Sequence, residues 1–254
     1  MDSSIWPKAI EKLMKKIIKP KNSLKNAAML EKKILYKRAC DALLAGVRIR
    51  DPNKVFIRGK LKCGIGVEID VGVIIEGKVN LDAGVKIGAH SILKNVEIGA
   101  HTQVNPFSII EDSIIGSNAF IGPYGRVRPG SKIGNFSQIG NFVEIKKSKL
   151  GSHSRVNHLA FLGDATLEKN VTIGAGSITC NHNGSGINKT KINEGVYIGS
   201  GCELVAPISI GKNATIGAGS TITKDVPAGK LTIARSRQQT IKDWKRPVMK
   251  KVAR

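Results

Sequence analysis

Residues 67–93 read VEIDVGVIIEGKVNLDAGVKIGAHSIL. Within this stretch Ile69, Ile75, Leu81, Ile87 and Leu93 recur every six residues. Neither a helix, with its 3.6-residue repeat, nor a strand alternating every second residue makes such a step by itself. The phase slips by one at Ile98, Val104 and Ile110 and again at Ile115, then holds through Ile121, Val127, Ile133, Ile139 and Ile145. It continues at Leu150, Val156, Leu162, Leu167 and Ile173, and after a break at Ile198, Leu204, Ile210, Ile216 and Ile222. A short fixed period held over about 150 residues marks a solenoid.

Hexapeptide steps fit a parallel β-helix in which each short strand sends one aliphatic side chain into a stacked core. A glycine often follows that residue, as in Ile87-Gly88, Ile98-Gly99 and Ile133-Gly134, and is expected to free the backbone at the corners. Three hexads make one triangular coil of about eighteen residues, so the body is expected to hold about eight to ten coils. The fold class is therefore an all-β solenoid with a short α-helical N-terminal segment.

The ends differ from this body. Residues 5–19 place Ile10, Leu13, Met14, Ile17 and Ile18 on one helical face, and a second helix is predicted from about Leu24 to Leu44. The stripe of that second helix is Leu30, Ile34, Leu35 and Leu43, and Gly46 suits its stop. We divide the chain into a basic helical segment (1–50), the β-helix (51–230) with a loop insertion near 180–197, and a basic tail (231–254). The formal charge of +22 follows this division. Residues 1–60 carry 16 Lys and Arg against 5 Asp and Glu, and residues 235–254 carry 8 against 1. No aromatic residues interleave with these basic clusters, which argues against nucleic acid as a partner. The first helix has the character of one that lies on an anionic membrane surface, but packing on its own domain or a neighbouring subunit is the favoured reading.

Cys40, Cys63, Cys180 and Cys202 are irregularly spaced, with no Cys-x-x-Cys pair and no Cys/His spacing for zinc, so no metal is expected. Reduced thiols, no secretory segment and no long apolar run point to a cytoplasmic protein.

Polar residues that the repeat does not require concentrate at Arg126 and Arg128, at Asn141–Lys147 and at Asn157-His158-Leu159. Arg128, Lys146 and the Gly163-Asp164 neighbourhood are about one coil apart, so they stack on one face. Two stacked cations suit a phosphate or a carboxylate, although most surface Lys and Arg are merely solvated. Histidine as a residue type can exchange a proton near neutral pH, which makes His158 a candidate general base, with Glu144 able to orient it.

From about Leu30 onward the chain resembles the acetyltransferase half of the bifunctional N-acetylglucosamine-1-phosphate uridyltransferase/glucosamine-1-phosphate N-acetyltransferases. The resemblance rests on Leu44–Val47 with Arg50-Asp51-Pro52, Arg126–Gly130, Gly140–Lys147, His158-Leu159, Leu162–Ala165, Gly174–Gly176, Thr179–Asn181, Leu204–Pro207 and Trp244–Pro247. It implies a homotrimer of left-handed β-helices with active sites between subunits. It implies acetyl-CoA as acyl donor, His158 as base and Glu144 as its assistant, with Arg128 and Lys146 on the sugar phosphate. Asn181, Ser200, Ala218 and Arg235 would line the CoA channel, with Arg235 near its phosphates.

Departures fall in the acceptor pocket. Phe161, Thr172 and Ile187 stand where the family has a tyrosine, an asparagine and a lysine, and His182 replaces a tyrosine after the loop asparagine. Only about 60 residues precede the repeats and no Gly-rich nucleotide loop is present, so uridyl transfer is not expected. The sequence thus predicts an N-acetyltransferase for an amino sugar phosphate, by default glucosamine 1-phosphate. The competing readings are a different amino-sugar acceptor and a non-catalytic trimeric scaffold.

Overall fold

The computed structural model describes residues 23–246. The expected first helix, at 5–19, lies outside them, as does the end of the basic tail. The described chain is one helix followed by a left-handed parallel β-helix of roughly ten turns.

The helix, Ser23–Leu44, closes on a Schellman motif: Val47 N donates to Ala42 O (3.0 Å) and Gly46 N to Leu43 O (2.9 Å). Gly46 has φ +92°, the left-handed conformation that this motif needs. The helix buries Leu35 and Ala39 against the first coil, where Arg38 Nη1 donates to Ile57 O at 3.0 Å. Its expected stripe is therefore corrected. Leu30 and Ile34 are only half-buried, and Leu43, about 80° round the helix from Leu35, faces solvent. The small Ala39, absent from the expected stripe, lets the helix approach closely.

The solenoid has three faces. The first runs from Arg48–Ile49 to Leu231–Thr232 as an eleven-stranded sheet. The second runs from Phe56–Ile57 to Thr221–Ile222, and the third from Lys60–Cys63 to Ile208–Ile210. All pairing between these strands is parallel and coil upon coil: Ile69 is in register with Ile87, and Ile87 with Val104. Those two steps of 18 and 17 residues account for the phase slip in the sequence. A coil loses one residue at a corner without breaking the ladder, as where Gly77-Lys78 is matched by the single residue Asn95. Asn95 repairs the gap, accepting from Lys78 N (3.0 Å) and donating to Asp112 Oδ1 (2.9 Å).

Inside, the six-residue step becomes a stack of fully buried side chains, including Ile69, Ile75, Leu93, Ile110, Ile121, Ile139 and Ile145. Each is worth about 1.5–3 kcal/mol of apolar burial. Between these columns, buried hydroxyls satisfy corner backbone. Thr102 Oγ1 donates to Gly116 O at 2.7 Å and accepts from Ala119 N at 3.0 Å, and Ser148 does the same for Leu162 and Ala165.

Three boundaries move. The first strand is Arg48–Ile49, inside the expected helical segment, because a 3-10 turn at Pro52–Lys54 stretches the first coil to 20 residues and hides the period. The inserted loop ends before Thr190–Ile192, which pairs with Ala165–Leu167, so part of the expected interruption is regular coil. Ile192 lies six residues before Ile198 and is wholly buried. At the other end Leu231–Thr232 still pairs with Thr215–Ile216, within the expected tail.

The role expected of the glycines holds at corners such as Gly66, Gly72 and Gly84, which take positive φ, but not at Gly88, Gly99 and Gly134, which do not. Sixteen non-glycine residues among the described ones take positive φ at corners and turns, including Phe107, Tyr124 and Phe142. Gly134 is needed for close approach instead. A Cβ there would lie 2.6 Å from Ser152 N on the next coil. We expect Gly134→Ala to lower stability by about 1–3 kcal/mol, as overpacking does, read as a fall in the urea midpoint. An unchanged midpoint would refute the close-approach account.

Candidate active site

Two successive coils build the region that holds the candidate base. In one, Gln138–Asn141 on the first face turns at Phe142 (φ +55°) into Glu144–Lys146 on the second. In the next, Arg155–His158 turns at Leu159 (φ +49°) into Phe161–Gly163. Register places His158 over Asn141, Phe161 over Glu144 and Gly163 over Lys146. Arg126 is in register with Glu144, which sets Arg128 in line with Lys146 one coil away. The stacked cation pair expected from spacing is therefore present.

Glu144 does not meet His158. It accepts a hydrogen bond from Arg128 Nη1 at 2.6 Å, and no hydrogen bond joins it to the imidazole. Glu144 and Arg128 share the second face, His158 ends a first-face strand across the corner, and the Glu144 side chain is turned toward Arg128. Arg126 is held by Glu111 at 3.0 Å. Lys146 has no ion pair among the described residues.

The corner beside His158 changes character there. Before it, the turn positions carry rings stacked coil on coil: His90 on Phe107 (5.2 Å), Phe107 on Tyr124 (5.1 Å) and Tyr124 on Phe142 (5.1 Å). Leu159 takes the next place. After it the same turn position is Gly176, then Gly201, then Gly219, all at positive φ. The residues just before these turns follow one another through Gly176 N to His158 O (3.2 Å), Gly201 N to Ala175 O (2.7 Å) and Gly219 N to Ser200 O (2.8 Å). His158, Ala175, Ser200 and Ala218 thus share one edge, and the first and last are about 14 Å apart at roughly 4.8 Å per coil. Arg235 continues it, with its Cδ 3.9 Å from where a Gly219 Cβ would be. The edge has side chains on one side of His158 and bare backbone on the other.

Asn181 lies at the corner between the second and third faces and donates from Nδ2 to Asp164 Oδ2 at 2.7 Å. A Cβ on Gly163 would meet both this amide (2.6 Å) and the Phe161 ring (2.8 Å), so the glycine lets the two groups share one space. His182 opens the loop, bridging Ile187 antiparallel and accepting from Gly184 N at 3.2 Å through Nδ1. Ile187 is 53% exposed. Thr172, by contrast, sits on the first face in register with Arg155 and Tyr197. One chain brings Phe161 and Asn181 together but leaves Thr172 on the first face and Ile187 in the loop beyond the second.

Spacing alone could have revealed two further features. The rings at 90, 107, 124 and 142 recur at the coil length, as do Asp164 and Asn181. Both were hidden because they lie outside the apolar column that defines the period.

A family model described as bacterial transferase hexapeptide (six repeats) matches residues 112–147 and 189–224. The bifunctional protein GlmU of Chromobacterium violaceum is 49% identical over 229 residues, which is 90% of this chain. That of Nitrosospira multiformis is 48% identical over the same length. Both matched segments carry the bacterial transferase hexapeptide repeat. The chain's relatives place it with half of GlmU, for it spans about half the length of the curated proteins it matches. Among solved structures, the UDP-N-acetylglucosamine acyltransferase of Francisella novicida covers 73% of the chain, matching 66% of its own, at 16% identity and TM-score 0.44.

Cys180 is on the same second-face row as Lys146 and Gly163. Burial pushes its thiol above the usual cysteine range, and the Glu203 carboxylate adds to the shift. Cys63 is pushed up to about 11 by burial. Both thiols are therefore protonated at neutral pH and are poor nucleophiles. We expect Cys180 to alkylate with iodoacetamide several-fold more slowly than free cysteine at neutral pH and to speed up as pH rises. Alkylation as fast as the free amino acid would contradict this.

Proposed function

We propose that the chain transfers the acetyl group of acetyl-CoA to the amine of an amino sugar phosphate, with glucosamine 1-phosphate as the default acceptor. One observation carries this reading: His158 stands where a cation-flanked, ring-bearing edge gives way to a bare glycine edge leading to Arg235. On the first side Arg128 and Lys146 would hold the acceptor's phosphate. On the other, the glycine edge would take the extended pantetheine arm past Ser200 and Ala218, with Arg235 near the CoA phosphates. Asn181 and His182 would border the donor, while Phe161 and Thr172 would border the sugar. The separation of Thr172 from Phe161 in one chain supports a homotrimer, in which neighbouring subunits complete each site.

In this scheme the amine nitrogen attacks the thioester carbonyl and a C–N bond forms while His158 takes the amine proton. Collapse of the tetrahedral intermediate breaks the C–S bond, and the proton passes to the departing CoA thiolate. Backbone amides at the coil corner would stabilise the oxyanion. No step calls for a metal. We place the reaction in the cytoplasm, where acetyl-CoA is made; no helix among the described residues is long and apolar enough to cross a membrane.

The second reading keeps the chemistry and changes the acceptor, and it is Phe161 that favours it. That ring cannot donate the hydrogen bond a tyrosine would, and Ile187 carries no charge. Each lost hydrogen bond to a charged group weakens binding by about 1.5–3 kcal/mol.

Release of thiol from acetyl-CoA with glucosamine 1-phosphate tests both readings. The native protein should turn over, and His158→Ala should lose at least about 100-fold in rate. Binding of CoA without turnover would shift the reading to another amino sugar, and failure to bind CoA would favour a scaffold. Restoring Phe161→Tyr, Thr172→Asn and Ile187→Lys together should lower KM for glucosamine 1-phosphate at least tenfold, by the magnitudes above. An unchanged KM would show that these positions do not set acceptor preference.

A further inference from the structure

Arg128 is one of the two cations that the proposed reaction sets against the acceptor's phosphate, yet here its guanidinium is engaged by Glu144, with Nη1 and Oε1 2.6 Å apart. Glu144 is also the carboxylate expected to orient His158, and it makes no hydrogen bond to that ring. Turned toward Arg128, the carboxylate leaves the imidazole without a hydrogen bond. We propose that Arg128 and Glu144 form a latch that the acceptor's own phosphate opens, so that binding of the phosphate prepares the base. This rests on the reading of His158 as the base.

The geometry allows the exchange. Glu144 and His158 flank one corner on successive coils: Asn141, three residues before Glu144, lies under His158, and Phe161, three residues after His158, lies over Glu144. The Arg128 and Glu144 side chains are 37% and 36% exposed, and ion pairs that open to solvent are weak. A phosphate brings more charge, can take the guanidinium fork in a bidentate way, and gains Lys146 as a second partner. Arg128 therefore goes to the phosphate, and the released carboxylate turns across the corner to the imidazole.

Besides Lys146, the nearby arginines and the Asp164 carboxylate are already paired or lie on another face. Arg126 is paired with Glu111, and Asp164 accepts from Asn181. Arg155 lies on the first face, beneath Thr172. Glu144 is thus the carboxylate whose partner the ligand itself would replace. In this scheme Glu144 is a positioning residue that acts through His158, Arg128 binds the phosphate itself, and an amino sugar lacking the phosphate is a poor acceptor even when it occupies the site.

The test uses the full chain labelled with 15N-histidine, reading the ring nitrogens of His158, which report its tautomer and hydrogen bonding. His158→Ala identifies the signal, and inorganic phosphate is the probe. In the native protein phosphate should move the His158 nitrogens to the carboxylate-bonded pattern. Glu144→Gln should abolish that response, and Arg128→Gln should show the pattern with no phosphate added. The latch is overturned if native protein does not respond at saturating phosphate. It is equally overturned if Glu144→Gln responds as native does, or if Arg128→Gln lacks the pattern. The readout needs no turnover. The expected pattern in a protein that fails to bind CoA would leave the phosphate-driven exchange standing and remove the acetyltransferase reading, whereas thiol release without the pattern would keep that reading and overturn the latch.

Discussion

Each coil must lie on the one before it at backbone hydrogen-bonding distance, over three faces and without interruption. Everything else in the molecule is arranged around that constraint. A parallel ladder has no room for a side chain where backbones close up at a corner, hence Gly134, whose Cβ would strike Ser152 N. It leaves one inward position per short strand, and aliphatic residues fill it because anything polar would be stranded in a dry column. The hydroxyls that do enter, such as Thr102 and Ser148, sit beside corner carbonyls and amides and bond to them.

The same constraint explains what could be read from the sequence. The inward column is the part of the chain with least freedom, so its period survives in the residue types from Ile69 to Ile222. Where a turn changes the length of a coil, the period is lost although the coil is not. Arg48–Ile49 and Thr190–Ile192 are therefore not visible in the period: a 3-10 turn follows the first, and the polar loop precedes the second. Glycine is not needed at every corner, for a related reason. Stacked rings and asparagines tolerate the left-handed turn when neighbours on adjacent coils hold them, as Phe107 and Tyr124 hold one another.

The site was legible to the extent that coil spacing fixes it. Arg128 and Lys146 stack because they are one coil apart, and no knowledge of side-chain conformation is needed to see that. The partner of Glu144 could not be read this way. Its backbone position is compatible with either Arg128 on its own face or His158 around the corner, and rotamers decide between them. Nor could linear order show that Phe161 and Asn181 crowd over Gly163 while Thr172 lies on another face.

The two ends of the stack are finished differently. At the start, the helix Ser23–Leu44 covers the first coil with Leu35 and Ala39. At the far end, the last paired strand is the two-residue Leu231–Thr232, and the chain after it to residue 246 is largely exposed. In a solenoid each coil is stabilised only by its neighbours, so opening proceeds inward from the less protected end. Ser200, Ala218 and Arg235 lie toward that end, and His158 lies deeper. The molecule therefore has a built-in order of failure: rising temperature or denaturant erodes the glycine edge first, while the coils bearing the imidazole and the stacked cations still hold.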